Sequence, residues 1–166
     1  VSILITKQGV YNAITLIDHA LRMAGVREPR LAVAAFNPHG GEGGLFGREE
    51  IDAIAPAIGQ ARSEGIQAYG PFPADTVFLR AREGAYNAIV TMYHDQGQIA
   101  MKLMGFERGV AVQAGLPVPI TSPSHGTAFD IAGQGKANPQ GLWQAFILAG
   151  RMAAHQMQLA GKPPGT

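Results

Sequence analysis

Apolar residues recur at intervals of three and four in several stretches of the chain, which is the spacing of one face of a helix. In the first stretch the pattern ends at Gly25, a residue that commonly terminates helices. The apolar positions of this stretch are Val10, Ile14, Ile17 and Leu21. Further helices are predicted over residues 48–64, 94 to about 104, 128–132 and 139–159.

Short, continuous apolar runs lie between these helices and predict buried strands. They cover residues 30–36, 88–92 and 109–113, with a shorter candidate at 66–69. Because strands alternate with helices, we predict an α/β fold with a mixed or parallel sheet and flanking helices. In open α/β sheets, binding sites collect beyond the carboxyl ends of the strands, so the loops that leave these runs are the candidates for chemistry.

The composition describes a globular protein with an unusually uncharged surface. The chain has 166 residues, of which 46% are hydrophobic, and this excludes disorder as the main state. Only 15% are charged, against about 25% in ordinary domains, which indicates that part of the surface is covered. We expect residues 1–160 to form a single α/β unit and residues 161–166 a frayed tail.

Charge and residue content exclude several classes of function. The net charge of +1 gives no reason to expect nucleic acid or acidic lipid as a partner. The absence of cysteine excludes disulfides, thiolate metal sites and a cysteine nucleophile. No run approaches the ~20 apolar residues of a membrane helix, and no signal peptide is visible. We therefore expect a soluble, cytoplasmic protein.

Two segments at predicted strand ends carry histidines that can bind a metal or move a proton. Residues 37–44 (NPHGGEGG) hold His39 in a glycine-rich stretch that matches neither the GxGxxG fingerprint nor the P-loop. The plain alternative is a flexible surface loop with a solvated histidine. Residues 93–97 (YHDQG) hold His94 and Asp95, for which the alternative is a helix-capping aspartate beside a solvated histidine.

Three other places could contribute to a site. Residues 122–127 (SPSHGT) put hydroxyls and a glycine before a short helix, which suits an anion or a ribose, or simply caps the helix. Asp75 is either a helix cap or a base, and Lys102, on the helix predicted after His94, is typical of a solvated side chain. Histidines at strand ends suggest a divalent metal, although a catalytic site usually has three protein ligands and the spacing alone does not establish one.

Five segments taken together, NPHGGEGG, FGREE, GPFPADTVF, MYHDQG and HGTAFDIAG, resemble the 4-hydroxythreonine-4-phosphate dehydrogenase family from Thr6 to about Ala154. The resemblance implies a fold similar to isocitrate and isopropylmalate dehydrogenases. It also implies NAD and a divalent metal (Zn, Co, Mn or Mg) as cofactors, and a homodimer with the active site at its interface. The implied reaction is oxidation of a phosphorylated hydroxy acid, which decarboxylation can follow.

The resemblance further implies roles for individual residues. His39 and His94 would be two of three metal-binding histidines and would come from different subunits. Asp75 and Asp95 would be active-site aspartates beside the metal, and Lys102 would contact the substrate. The residues implied to lie near NAD are Ser124, His125, Gly126 and Thr127.

The chain also departs from the family pattern. Family members are about twice as long, so the chain resembles their C-terminal half and lacks the third metal histidine and a His-Thr pair that contacts substrate. Ala111 and Ile120 stand where the enzyme of pyridoxine biosynthesis has an Asn and an Arg that hold its substrate. These two differences make the chain more similar to relatives that oxidise 4-phospho-threonate or 4-phospho-erythronate. Dihydrodiol dehydrogenases of aromatic catabolism are a further branch of the family.

Two other classes of function stay open beside the dehydrogenase. One is a non-catalytic module, either a dimerisation partner or a decayed remnant that keeps the fold. The other is a metal-dependent hydrolase that uses His39 and His94. Because two ligands are too few for a catalytic metal, we expect little or no turnover from the 166 residues alone.

Overall fold

The computed structural model describes residues 2–105 and 108–160 and divides the chain into two compact units. Unit 1 contains the described residues up to Arg22 together with Val26–Ala100, and unit 2 contains Met23–Gly25 and the described residues from Met101 onward. The helices are α1 (Lys7–Met23), α2 (Ala55–Ser63), α3 (Val77–Arg82), α4 (His94–Gly105) and α5 (Gln140–Ala160). The strands are β1 (Arg30–Ala34), β2 (Gln67–Phe72), β3 (Ala88–Val90), β4 (Val110–Gln113) and β5 (Ile120–Pro123).

A three-stranded parallel sheet in the order β2-β1-β3 forms the centre of unit 1. The central strand β1 is buried on both faces, which explains why its sequence is a continuous apolar run rather than an alternating one. In register, Leu31 lies beside Ala68 of β2 and Ala88 of β3. The predicted α/β class, with a parallel sheet and flanking helices, is confirmed.

Helices cover both faces of this sheet. Alternate residues of β1 point to opposite faces, so Leu31 and Val33 pack in a cluster with α1 and α2, while Ala32 and Ala34 pack with Val77 of α3. The face of β1 toward α1 and α2 therefore carries large side chains, and the face toward α3 carries alanines. The residues of α1 that join the first cluster are Val10 and Ile14, with Ile17 and Leu21 partly buried against it.

Strand β2 extends further than the predicted strand at 66–69, because the residues up to Phe72 continue the pairing with β1. The Ala35 N–H donates to the Phe72 carbonyl at 2.7 Å, and the register between the two strands shifts between Ala32 and Ala34. Gly70 allows the backbones of β1 and β2 to lie this close together. It has φ 133°, and a Cβ placed there would lie 2.5 Å from the Val33 carbonyl oxygen.

Unit 2 contains a two-stranded antiparallel ribbon formed by β4 and β5. The predicted strand at 109–113 is present as β4, whereas β5 was not predicted from the sequence. The α5 helix packs along this ribbon, and the Thr121 hydroxyl donates to the Ala145 carbonyl at 2.8 Å. The extent of the unit predicted over 1–160 stays a prediction, and the tail predicted at 161–166 lies outside the described residues.

No helix within the described ranges has both the length and the hydropathy needed to cross a membrane.

We predict that Leu31→Ala lowers the free energy of unfolding by about 2–5 kcal/mol, since it opens a cavity in the fully buried central strand. Urea denaturation followed by circular dichroism measures the loss. Leu16→Ala is the matched control, because Leu16 is 40% exposed and its truncation should cost about 0.5 kcal/mol or less. Equal losses in the two variants would contradict the assignment of Leu31 to the core.

Candidate functional site

A cleft of about 330 Å³ lies at the carboxyl end of the parallel sheet in unit 1. Its lining comes from the segments that follow β1, β2 and β3, which is the place where ligands bind in open α/β sheets. The residues after β1 are Phe36, Asn37, Pro38 and His39. Those after β2 are Ala74 and Asp75, and those after β3 are Tyr93 and Gln96.

The glycine-rich segment after β1 winds into a left-handed turn over Pro38–Gly44. Two residues with side chains adopt positive φ angles within it, His39 at 52° and Glu42 at 43°. Such a conformation costs roughly 1–2 kcal/mol for each non-glycine residue, so it has to be held by surrounding contacts. The segment predicted only as a glycine-rich loop is therefore a constrained turn that carries His39.

The buried carboxylate of Glu50 holds the backbone at the start of this turn. Its side chain is 4% exposed, and its Oε1 accepts the backbone N–H groups of Phe36 and Asn37, each at 2.8 Å. Its Oε2 accepts the Asn37 side-chain amide at 2.9 Å. Burial acts to raise the pKa of Glu50, but these hydrogen bonds outweigh it, so the pKa lies below its ordinary value of 4.5.

Two glycines let the turn close around this carboxylate. A Cβ at Gly41 would lie 2.7 Å from Glu50 Oε2, and a Cβ at Gly47 would lie 2.5 Å from Asn37 Nδ2. Any side chain at either position would displace the buried polar groups. Sequence reasoning did not identify Glu50, although FGREE was among the segments of the resemblance.

His39 and Asp75 are the predicted site residues that the structure brings into the cleft. The His39 Nδ1 lies 2.8 Å from Glu42 Oε1. Because a carboxylate only accepts hydrogen bonds, Nδ1 carries the proton and Nε2 keeps a lone pair. Asp75 is exposed on the segment after β2.

His94 and Asp95 lie next to the cleft but do not line it. They are the first two residues of α4, and His94 Nδ1 donates to Asp95 Oδ1 at 2.8 Å. Both side chains are more than 70% exposed. Their neighbours Tyr93 and Gln96 reach the cleft instead, and Tyr93 packs edge-on against Phe36 with ring centroids 6.2 Å apart.

The Gln96 side chain forms hydrogen bonds with backbone groups that follow two different strands. Its role was not identified from the sequence. Its Oε1 accepts the Met92 N–H at 2.8 Å, and its Nε2 donates to the Ala35 carbonyl at 2.9 Å. The amide thus satisfies backbone groups beyond the ends of β1 and β3. The only sequence signal was its place in the YHDQG segment.

The remaining predicted site residues belong to unit 2. Lys102 is exposed on α4. The Ser124 N–H donates to the Gly109 carbonyl at 3.0 Å, and His125 Nδ1 donates to the Gly126 carbonyl at 2.9 Å. Thr127 is exposed. The substrate and NAD roles of these residues stay predictions.

The fit to a divalent metal is partial. Within residues 2–105 and 108–160, no group of three His, Asp or Glu side chains could hold a metal ion. Yet His39 and His94 each donate Nδ1–H to a carboxylate and keep Nε2 for a ligand, which is the usual arrangement of metal-binding histidines. The donor chemistry therefore fits a metal, while the described chain does not complete its ligand set.

Comparisons with known proteins all point to the same protein family. The family model described as "Pyridoxal phosphate biosynthetic protein PdxA" matches residues 1–149. A Pseudomonas aeruginosa protein provisionally named 4-hydroxythreonine-4-phosphate dehydrogenase 2 is 58% identical over 155 residues, which cover 92% of this chain and 46% of that protein. A D-threonate 4-phosphate dehydrogenase of Pectobacterium atrosepticum is 48% identical over 149 residues, covering 90% of this chain and 46% of its own length.

The fold is similar to that of solved structures. The crystal structure of a 4-hydroxythreonine-4-phosphate dehydrogenase from Klebsiella pneumoniae matches with a TM-score of 0.79 and 45% identity. The match covers 90% of this chain and 45% of that one. The chain thus spans slightly less than half the length of the relatives that it matches.

We predict that Gln96→Ala lowers the free energy of unfolding by about 1–3 kcal/mol, because the Met92 N–H and the Ala35 carbonyl lose their partner. Thermal and urea denaturation measure this loss. Gln98→Ala, two positions along α4, serves as the control, because no side-chain hydrogen bond is described for Gln98. A Gln96→Ala variant as stable as the control would contradict the bridging role.

A second prediction concerns acid stability. Because folding lowers the pKa of Glu50, its contribution to stability is present above pH 4.5 and is lost as the pH falls below 4.5 through the folded value. The free energy of unfolding should therefore fall less steeply in this acid range in Glu50→Gln than in the unmodified chain. Urea denaturation at a series of pH values tests this, with Asp52→Asn, an exposed carboxylate, expected to keep the steep dependence.

Proposed function

Because this chain belongs to the family of pyridoxal phosphate biosynthetic protein PdxA, we propose that it acts in a dehydrogenase that oxidises a phosphorylated hydroxy acid with NAD. The observation that carries the proposal is the cleft beyond the parallel strands. Its lining includes an anchored imidazole, His39, and an exposed carboxylate, Asp75, both within the segment that the family model matches. The family relatives named dehydrogenases support the reaction class.

Oxidation of an alcohol requires the loss of a hydride from carbon and a proton from oxygen. NAD would accept the hydride, and a divalent metal held by His39 and His94 would stabilise the developing alkoxide. Asp75 lines the cleft with a free carboxylate and is the group that we propose to take the proton. Asp95 holds the His94 ring through its Nδ1–H.

We also propose roles for several residues of unit 2. We propose that Lys102 contacts the substrate and that the segment Ser124, His125, Gly126 and Thr127 lies near NAD. We also propose a homodimer in which His39 and His94 of different subunits share one metal, which is supported by the absence of a three-ligand group within the described residues.

The substrate is proposed to be a phosphorylated sugar acid such as 4-phospho-threonate or 4-phospho-erythronate. Ala111 and Ile120 support this choice, because neither side chain can hydrogen-bond the amino group that distinguishes an amino-acid substrate from a sugar acid. They lie on the two strands of the antiparallel ribbon, Ala111 on β4 and Ile120 on β5. The relative from Pectobacterium atrosepticum, named a D-threonate 4-phosphate dehydrogenase, agrees with it.

The substrate test compares two samples, the 166-residue chain alone and the chain fused behind the upstream half of the Pseudomonas aeruginosa relative. NADH formation is followed with 4-phospho-D-threonate, 4-phospho-D-erythronate and 4-hydroxythreonine-4-phosphate, in the presence of Mg²⁺, Mn²⁺, Co²⁺ or Zn²⁺. We expect turnover of the sugar acids by the fusion, loss of turnover with a chelator, and little or none from the chain alone. Oxidation of a cis-dihydrodiol only, or metal-dependent ester cleavage without NAD, would contradict the proposal.

In the fusion, Asp75→Asn should lower kcat by roughly 10²–10⁴-fold, the contribution of a general base. His39→Ala should abolish metal-dependent turnover. His19→Ala is the control, because His19 is exposed on α1 and has no place in the cleft. Steady-state kinetics measure all three, and wild-type kcat in Asp75→Asn would remove Asp75 from the reaction.

A further inference from the structure

Glu50 is a buried acid that the proposed reaction does not use. It is 4% exposed, and no lysine, arginine or histidine of the described residues pairs with it. Its charge is instead balanced by N–H groups from the end of β1 and from the Asn37 side chain. A buried carboxylate held only by N–H donors stabilises whatever backbone shape presents those donors.

The backbone shape that Glu50 stabilises is the loop over residues 37–47. The loop begins at Asn37, whose amide also donates to Glu49 Oε2 at 2.7 Å. Within the loop, Gly41 is in contact distance of Glu50, and Gly47 closes against Asn37 and Glu49. The start, middle and end of the loop therefore all meet at the same pair of adjacent carboxylates.

This arrangement controls the chemistry of His39. The hydrogen bond from His39 Nδ1 to Glu42 Oε1 joins two side chains that are both on residues with positive φ. If the turn relaxed to negative φ, the two side chains would no longer face each other. A group that holds the turn in shape would therefore also hold the side-chain pair that keeps the proton on His39 Nδ1.

We propose that Glu50 is a positioning residue that holds His39 in the Nδ1–H tautomer and leaves its Nε2 lone pair free at the cleft. This inference rests on the proposed function in one respect, namely that the group bound by His39 Nε2 is a divalent metal. Glu50 itself does not line the cleft.

Glu50→Gln is the informative variant. An amide has one acceptor oxygen, whereas Glu50 uses both carboxylate oxygens as acceptors. In either orientation, the new NH₂ group faces an N–H donor, either of the backbone or of Asn37. Asp52→Asn is the matched control, because it removes a carboxylate from the same turn that is exposed and pairs with Arg48.

The measurement is the long-range proton–nitrogen NMR spectrum of the histidine rings at neutral pH, which distinguishes protonated from unprotonated ring nitrogens. The unmodified chain and Asp52→Asn should show His39 with a protonated Nδ1. In Glu50→Gln this signature should be lost, while the corresponding signature of His94, held by Asp95, persists. A dispersed backbone amide spectrum of the same sample shows that the variant is folded. An unchanged His39 signature in Glu50→Gln would overturn the inference.

Glu50→Asp provides a second variant if Glu50→Gln does not fold. It keeps the charge but withdraws the carboxylate by one methylene, and the His39 signature should again be lost. An unchanged signature in a folded Glu50→Asp would count against the positioning role in the same way.

Titration with Co²⁺ separates this inference from the proposed function. In the unmodified chain Co²⁺ should broaden the ring signals of His39, and Glu50→Gln should require a roughly 10–100-fold higher Co²⁺ concentration for the same effect. Absence of any Co²⁺ effect at His39 and His94 in the unmodified chain would count against the metal proposal, while the tautomer comparison would still decide the role of Glu50. A normal Co²⁺ response in Glu50→Gln would overturn the positioning role.

Discussion

The structure of unit 1 depends on how the central strand β1 (Arg30–Ala34) ends inside the protein. Backbone N–H and C=O groups that leave a sheet while still buried need partners, since an unpaired one costs about as much as a lost hydrogen bond. The Ala35 N–H goes to the Phe72 carbonyl, and the Ala35 carbonyl accepts from Gln96. The Phe36 and Asn37 N–H groups both go to Glu50.

These partners come from three different parts of the chain, and together they build the cleft. Phe72 ends β2, Glu50 begins the π-helical turn that leads into α2, and Gln96 lies in the first turn of α4. Satisfying one strand end therefore gathers the segments that carry His39 and Asp75. The backbone at the strand end is held by the carboxylate of Glu50 and the amide of Gln96. The imidazole of His39 and the carboxylate of Asp75 are not used for this purpose.

The two candidate metal ligands of unit 1, His39 and His94, share one local arrangement. Each metal-ligand candidate has its own anchoring acid, Glu42 for His39 and Asp95 for His94, but the described residues contain no set of three ligands. The chain covers less than half of the relatives that it resembles. In both pairs the carboxylate leaves Nε2 of the imidazole ring available to a ligand.

The sequence by itself determined the class of fold, the helices with a clear apolar face, the buried strands and the family. These features depend on residues close together in the chain, where periodicity and composition are informative. Only the tertiary structure decided that β5 pairs with β4, that β2 extends to Phe72, and that Gln96 and Glu50 hold the cleft together. Gln96 and Ala35 are 61 positions apart, and a polar side chain acquires such a role only when folding brings a buried, unpaired backbone group within its reach.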